Sequence, residues 1–362
     1  MGSLSDVASA MREQSGWCEQ LGSPFYRVLL SRIADDVEAS GVCWSVLEPR
    51  AADPARFKLP LRFLAAIHRL VLEGKLPDLA RHYPSAGGTG DAEAAWGIFP
   101  DVLARHGDQI LAAMPETVQT SEVRRCCALL PGFLRVARDT RLPLRLLELG
   151  SSAGLNLRWD CYRYESCFGG WGPSDSPLVF DNAFTGHRPP LDTEVEVLER
   201  RGCDLNPIDP LSPEGALRLV SFLWPDQPDR FVRIASATEV ARRTPAVVER
   251  ADAVEWLEAQ LAVPRPGMAT VVFHSIFLLY LTAEARARMT KVLTAAGEQA
   301  TSEAPLAWLS MEPNGREDDV LLTMWPGGVR RAIASAGYHG GRAVVLDPGG
   351  PPEGDYATKR NE

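Results

Sequence analysis

A short apolar run that ends in a glycine-rich turn constrains the fold of this chain more than any other feature. Residues 144–149 have the length of one buried strand, and Gly150-Ser151-Ser152-Ala153-Gly154 follows them directly. A helical pattern from Ala153 to about Tyr164 comes next, so the turn is predicted to join a strand to a helix. In open α/β sheets, ligands bind beyond the carboxyl ends of the strands, which is where this turn would lie.

Strand and helix patterns alternate from this turn to the end of the chain. Such alternation predicts right-handed crossovers and a mostly parallel sheet. We expect a short helix between the last two strands, which allows an antiparallel final edge, and a loop insertion at residues 165–192, where Gly, Pro and Asp are frequent. The further predicted strands are 195–201, 246–250, 269–273, 306–311, 320–324 and 343–346, and the predicted helices are 213–223, 228–242, 254–261 and 283–296.

The first 140 residues have a different pattern. Leu61, Leu64, Ile67 and Leu70 follow helical spacing, and no stretch alternates with period two. The sequence therefore predicts an all-helical N-terminal domain at residues 1–140 and a sheet-containing domain at 141–362. We expect the helical domain to act as a lid over the substrate.

Composition excludes several classes of protein. Among 362 residues there are 47 acidic and 38 basic side chains, and a net charge of −9 argues against nucleic-acid binding. No apolar run reaches the roughly 18 residues that cross a bilayer, and no secretory signal opens the chain. Seven cysteines without a Cys-x-x-Cys pair, and six histidines without ligand spacing, predict reduced thiols and no metal site. We expect a cytoplasmic protein that binds a small molecule; a homodimer is left open.

The acidic residue before the turn suggests a cofactor. Glu148 stands two residues ahead of Gly150, a pattern typical of S-adenosylmethionine-dependent methyltransferases, in which the acid holds the amino group of the cofactor. Asp204 would accept hydrogen bonds from the ribose hydroxyls, or would be only a turn residue. Asp252 would contact the amino group of the adenine, or would only cap a helix. The predicted cofactor-binding residues are Glu148, Gly150, Ser151, Ser152, Gly154, Asn156, Asp204, Asp252 and Ala253.

One histidine and five other side chains are candidates for the acceptor side of the site. His274 ends the fourth predicted strand and could act as a general base, or could instead be a hydrogen-bonded core histidine. The apolar residues that follow it hint at an apolar or aromatic acceptor. The predicted substrate residues are Gln119, Asp160, Tyr164, Tyr280 and Glu312.

Two other functions compete with methyl transfer. Residues 150–154 also fit G-x-S-x-G, the nucleophile elbow of serine hydrolases, with Ser152 as nucleophile and His274 or His339 as base. That fold needs several strands before the elbow, and the first 140 residues supply almost none. A catalytically silent protein that binds a nucleotide-like ligand or a protein partner is the third hypothesis.

Nearly the whole chain resembles a bacterial family known as domain of unknown function 2332. The resemblance implies a class I methyltransferase-like fold: a mostly parallel seven-stranded sheet with helices on both faces, after a helical N-terminal domain. It names no reaction. Ser152 departs from the general methyltransferase pattern, which has a second glycine there. The matching segments are residues 62–64, 68–70, 83–85, 119–122, 148–157, 159–160, 162–164, 202–207, 224–227, 274–275, 325–328 and 338–340.

Overall fold

The computed structural model describes residues 2–54, 58–337 and 342–346. Two compact units divide the chain. The helical unit comprises Met1–Thr120 and Ser212–Ile234, and the sheet unit comprises Ser121–Leu211 and Ala235–Glu362. Residues 121–140, which the sequence assigns to the helical domain, thus belong to the sheet unit, and Ser212–Ile234 belong to the helical unit.

The helical unit confirms the predicted N-terminal helical region. Helix α1 begins with a capping box between Ser3 and Asp6, and α4 has Pro60 in its first turn, where a missing N–H costs nothing. Apolar side chains at helical spacing form a buried core. No helix within the described ranges is long and apolar enough to span a membrane. The helices of this unit are α1 (Leu4–Gln20), α2 (Pro24–Glu38), α3 (Val42–Leu47), α4 (Leu59–Leu72), α5 (Pro77–Ala80), α6 (Ala92–Ala113) and, later in the chain, α8 (Pro213–Ser221).

A mostly parallel sheet forms the centre of the sheet unit, as predicted. Its order is β5-β12-β11-β10-β9-β8-β1-β6-β7, and the strands from β7 to β9 are all parallel. The neighbours from β9 to β12 are antiparallel. The strands of this sheet are β1 (Leu144–Leu149), β5 (Phe184–Gly186), β6 (Val197–Asp204), β7 (Val247–Arg250), β8 (Ala269–Ser275), β9 (Leu306–Pro313), β10 (Asp318–Trp325), β11 (Val329–Ala336) and β12 (Ala343–Val345).

The described residues form nine strands in this sheet, so the predicted count of seven is wrong. Strand β11 occupies the place where we predicted a short helix. Its Arg330 and Arg331 break the alternation of apolar and polar residues that marks a strand in the sequence. The segment is a strand because it pairs with β10. Strand β5 lies inside the predicted loop insertion. Three residues are too few to show a period, and pairing with β12 makes them a strand. The insertion also contains a small sheet of β2 (Arg163–Ser166), β3 (Gly169–Trp171) and β4 (Val179–Phe180).

The helix predicted after the glycine turn is also wrong. A short 3-10 segment, Asn156–Cys161, takes its place, and Arg158 inside it has non-helical angles of φ −108° and ψ 20°. The hydroxyl of Tyr162 donates to the carbonyl of Leu155, at 2.5 Å, and thereby satisfies a carbonyl that an α-helix would otherwise use. Trp159 is buried in a ring stack between Phe133 and Trp171.

Helices cover both faces of the sheet. On one face, α7 (Cys126–Thr140) packs Phe133 against Phe273 of β8, with 5.1 Å between ring centroids. On the other face, Leu147 and Val272 form a core with α10 (Ala253–Leu261) and α11 (Ala283–Glu298). We call these the α7 face and the α10/α11 face. A further helix, α9 (Pro228–Arg243), precedes β7.

Candidate active site at the switch point of the sheet

The chain reverses its direction of travel across the sheet between β1 and β8. From β1 it continues to β6 and β7 on one side, and it then returns to place β8 and β9 on the other side. Ligands of open α/β sheets bind in the crevice that such a switch point opens beyond the carboxyl ends of the strands. Glu148, the glycine turn and Ser275 all lie at this point.

Three residues of the glycine turn have left-handed backbones. The φ angles are 68° at Gly150, 54° at Ser152 and 64° at Gly154, and glycine adopts this region without a steric penalty. A Cβ on Gly150 would come within 2.5 Å of the Phe277 ring, so a larger residue does not fit there. The Gly150 backbone is nevertheless exposed, and a ligand can approach it.

Hydrogen bonds fix the turn against strand β6. The N–H of Ser151 donates to the carbonyl of Cys203 at 3.0 Å, and the N–H of Ser152 donates to Asp204 Oδ2 at 2.9 Å. Asp204 Oδ1 accepts from the N–H of Asn206 at 2.8 Å. The predicted ribose acid therefore adjoins the turn, and it also holds the turn in place.

Glu148 is a buried carboxyl with an unused acceptor. Its side chain is 3% exposed, and no described residue forms a hydrogen bond to its Oε2. Burial raises the pKa of Glu148 to about 8, although a hydrogen bond from Asn156 and the charge of Arg125 oppose this shift. Near neutral pH the carboxyl is therefore mostly protonated. A buried acceptor without a partner is costly, and a ligand donor would satisfy it.

Three further polar side chains lie on the same face of the sheet as Glu148. Residues in register on neighbouring strands share a face, and every second residue along a strand does so too. Glu148 is in register with Phe273, which puts it on the α7 face together with Ser275. Met311 of β9 pairs with Ser275, and Pro313 lies two residues further along β9, so both are on the α7 face. Asp318 of β10 is opposite Pro313 and therefore lies on that face too.

Arg125, which directly precedes α7, completes this group by donating to the Ser275 carbonyl at 3.0 Å. We call Arg125, Glu148, Ser275 and Asp318 the α7-face cluster. Asp318 is fully buried, and neither of its carboxylate oxygens bonds to a described residue. Burial raises the pKa of Asp318 to about 7, while Arg125 lowers it. The cluster thus combines one fixed cation with two carboxyls that are easily protonated.

His274 lies on the opposite face of the sheet. It neighbours Phe273 along β8 and is fully buried, with Nδ1 at 2.7 Å from Glu312 Oε1. The indole N–H of Trp308 donates to Nε2 of His274 at 3.0 Å. Both ring nitrogens are therefore occupied, so we assign His274 no proton transfer. Glu312 also accepts from the N–H groups of Phe277 and Leu278 and so fixes the following loop.

The other predicted residues have varied surroundings. Burial raises the pKa of Tyr280 to about 12, and the charge of Arg125, a member of the cluster, opposes this shift. Asp160 forms an ion pair with Arg200, and the Tyr164 hydroxyl donates to the Trp159 carbonyl, so both have structural partners. Asp252 is exposed and caps α10, which begins at Ala253, and Gln119 belongs to the helical unit.

A family model described as "Uncharacterized protein conserved in bacteria (DUF2332)" matches residues 8–344. The chain belongs to this family. No curated protein and no solved structure matches this DUF2332 chain.

Among the described residues of the DUF2332 chain, Ser152 has no histidine partner. The hydroxyl of Ser152 is 3.0 Å from that of Ser121, and the described histidines make no hydrogen bond to it. His339, the other predicted base, lies outside the described residues. In the part of the chain that the structure describes, no group of three or more His, Cys, Asp or Glu side chains could hold a metal ion.

Sequence reasoning missed two residues of this site. Arg125 comes before α7, and Asp318 follows a hairpin some 170 residues beyond the glycine turn. One feature of the sequence indicates a buried position for Arg125: it directly precedes the apolar stretch Cys126–Leu134. Asp318 stands in the run Glu317-Asp318-Asp319, which has the composition of a solvated loop.

Proposed function

We propose that this protein is an S-adenosylmethionine-dependent methyltransferase that acts on a small molecule. The observation that carries the proposal is the buried carboxyl of Glu148 at the carboxyl end of β1, whose Oε2 forms no hydrogen bond with any described residue. It lies at the switch point of a parallel sheet, beside a turn whose Gly150 backbone is open to a ligand. A ligand with a protonated amine fits this acceptor.

The residues present fit the methionine and ribose parts of this cofactor. Glu148 would bind the amino group, and the backbone at Gly150 would lie beneath the methionine chain, with the Phe277 ring as an apolar wall. Asp204, which accepts from the N–H groups of Ser152 and Asn206, would also bind the ribose hydroxyls. The start of α10 would border the adenine.

Methyl transfer is an in-line displacement, so the main task of the protein is to align acceptor and donor. When bound, the cofactor supplies an electrophilic methyl carbon. Tyr280 and Asp318 are two polar side chains that interact electrostatically with Arg125 and that we do not assign to the cofactor. We propose that they face the acceptor, while Glu312 fixes the loop that carries Tyr280.

Calorimetric titration with S-adenosylhomocysteine tests this function, since the product of the reaction binds without turnover. We expect saturable binding to the wild type and a large loss of affinity in Glu148→Gln, which keeps the size of the side chain and removes the charge. Glu298→Gln, an exposed carboxylate on α11, is the matched control and should bind as the wild type does. Absence of binding at millimolar ligand would refute the proposal.

A further inference from the structure

Arg125 is a buried cation without a counter-ion. Its side chain is 7% exposed, and Nη1 donates only to the carbonyl and hydroxyl of Ser275, at 3.0 and 3.5 Å. Its Nε has no hydrogen-bond partner among the described residues, and no described carboxylate lies within 4.0 Å of the guanidinium. Buried charges in proteins are normally paired, because an unpaired one loses its hydration without compensation. An anionic ligand would supply the missing partner.

The carboxyls nearby do not neutralise this charge. Arg125 lowers the pKa of Glu148 and of Asp318, yet burial outweighs it, and the two values remain at about 8 and about 7. Glu312 is committed to His274 and to the backbone of the following loop. None of these carboxyls therefore forms an ion pair with the guanidinium. Arginine also presents a planar pair of donors that matches a carboxylate.

The glycine turn has few N–H groups left for this role. In many nucleotide-binding folds the helix after such a turn offers free N–H groups to an anion, but here the helix is replaced by the 3-10 segment Asn156–Cys161. Three N–H groups of the turn are already used: Ser151 donates to Cys203, Ser152 to Asp204, and Gly154 to Ser151. A ligand carboxylate at this turn would therefore need another donor.

We propose that Arg125 binds the carboxylate of the same α-amino-acid group whose ammonium is bound by Glu148. The inference rests on the proposed function and adds a second anchor for the cofactor, one that takes the place of the missing helix. Arg125 and Glu148 lie over the ends of the adjacent strands β8 and β1, on the same face, so one short ligand can reach both.

Binding measurements with two ligands distinguish a failure of this inference from a failure of the proposed function. S-adenosylhomocysteine carries the amino-acid group, whereas 5′-methylthioadenosine has the adenosine and the thioether without it. Arg125→Gln should weaken the binding of S-adenosylhomocysteine by about ten- to a hundredfold, the effect of losing a hydrogen bond to a charged group. It should leave the affinity for 5′-methylthioadenosine unchanged, which also shows that the variant is folded. Arg124→Gln, the same change at the neighbouring, more exposed position, is the control.

The outcomes are distinct. If Arg125→Gln binds S-adenosylhomocysteine as the wild type does, or if both ligands weaken equally, Arg125 does not bind the carboxylate. If Arg125→Gln unfolds, Arg125→Lys is measured instead, because lysine keeps the charge but lacks the planar pair of donors. An affinity for S-adenosylhomocysteine below that of the wild type then supports the inference. An unchanged affinity overturns it. If the wild type binds neither ligand, the proposed function itself fails.

Discussion

Replacing Glu148 by glutamine should stabilise the protein at alkaline pH. In the folded protein burial raises the pKa of this carboxyl from 4.5 to about 8. A raised pKa means that the folded state holds the proton more tightly than the unfolded state does. The contribution of Glu148 to stability is therefore fully present below pH 4.5 and is lost as the pH rises through 8. The complete loss corresponds to about 5 kcal/mol, at 1.36 kcal/mol for each pKa unit.

The assay is urea unfolding of wild type and Glu148→Gln at several pH values, without ligand. The variant has no titrating group at this position, so the difference in unfolding free energy should shift in its favour by about 2 to 3 kcal/mol between pH 6 and 8.5. Glu298→Gln should show no such pH-dependent difference, because this exposed carboxylate is hydrated in both states. A difference between wild type and Glu148→Gln that stays constant over this range would refute the burial of an unpaired carboxyl at the end of β1.

Four further variants test other parts of the structure. In urea unfolding, Asp318→Asn should be more stable than wild type by up to about 4 kcal/mol at pH 8.5 and equal to it near pH 4. The pKa of Asp318 is raised to about 7, so its carboxyl, like that of Glu148, destabilises the folded state as the pH rises. Gly202→Ala should lose about 1 to 3 kcal/mol, because its Cβ would meet Ser151 Oγ at 1.9 Å; the double variant with Ser151→Gly should regain part of this loss. Asp252→Ala should cost about 1 kcal/mol in the same assay through loss of the α10 cap. Wild type and Ser152→Ala should both remain unlabelled by a fluorophosphonate probe, and labelling that depends on Ser152 would restore the hydrolase hypothesis.

The position of the glycine turn was predictable because its signals are local. An apolar run of six residues followed by Gly150 marks the carboxyl end of a buried strand, and the acid two residues earlier must then lie at that end. The parallel arrangement of β6, β7, β8 and β9 followed from the helices between these strands. These inferences need only sequence spacing.

The helix expected after the turn failed because distant residues decide that segment. The Tyr162 hydroxyl donates to the carbonyl just before the 3-10 segment, and the Tyr164 hydroxyl donates to a carbonyl within it. Trp159 stacks between rings from α7 and β3. Apolar spacing alone cannot distinguish these contacts from those of an amphipathic helix. Tertiary packing overrode the local preference here.

The role expected of His274 depended on which face of the sheet it occupies. Alternation along β8 separates His274 from Phe273 and Ser275, but the sequence does not say which of the two sets shares a face with Glu148. The register between β1 and β8 answers this, and it pairs Glu148 with Phe273. A hydrogen bond to Ser275 brings Arg125 into the site, and the registers of β9 with β8 and β10 put Asp318 on the same face, although neither residue belongs to a recognisable motif.

The number of protons released on ligand binding tests the central claim most directly. Glu148, with its pKa near 8, is mostly protonated at pH 7, and an ammonium group that binds to it would drive its ionisation. Titration of the wild type with S-adenosylhomocysteine, in two buffers of different ionisation enthalpy, should show release of close to one proton per ligand. Glu148→Gln should release none. Binding to the wild type without proton release, or no binding at millimolar ligand, would contradict the account.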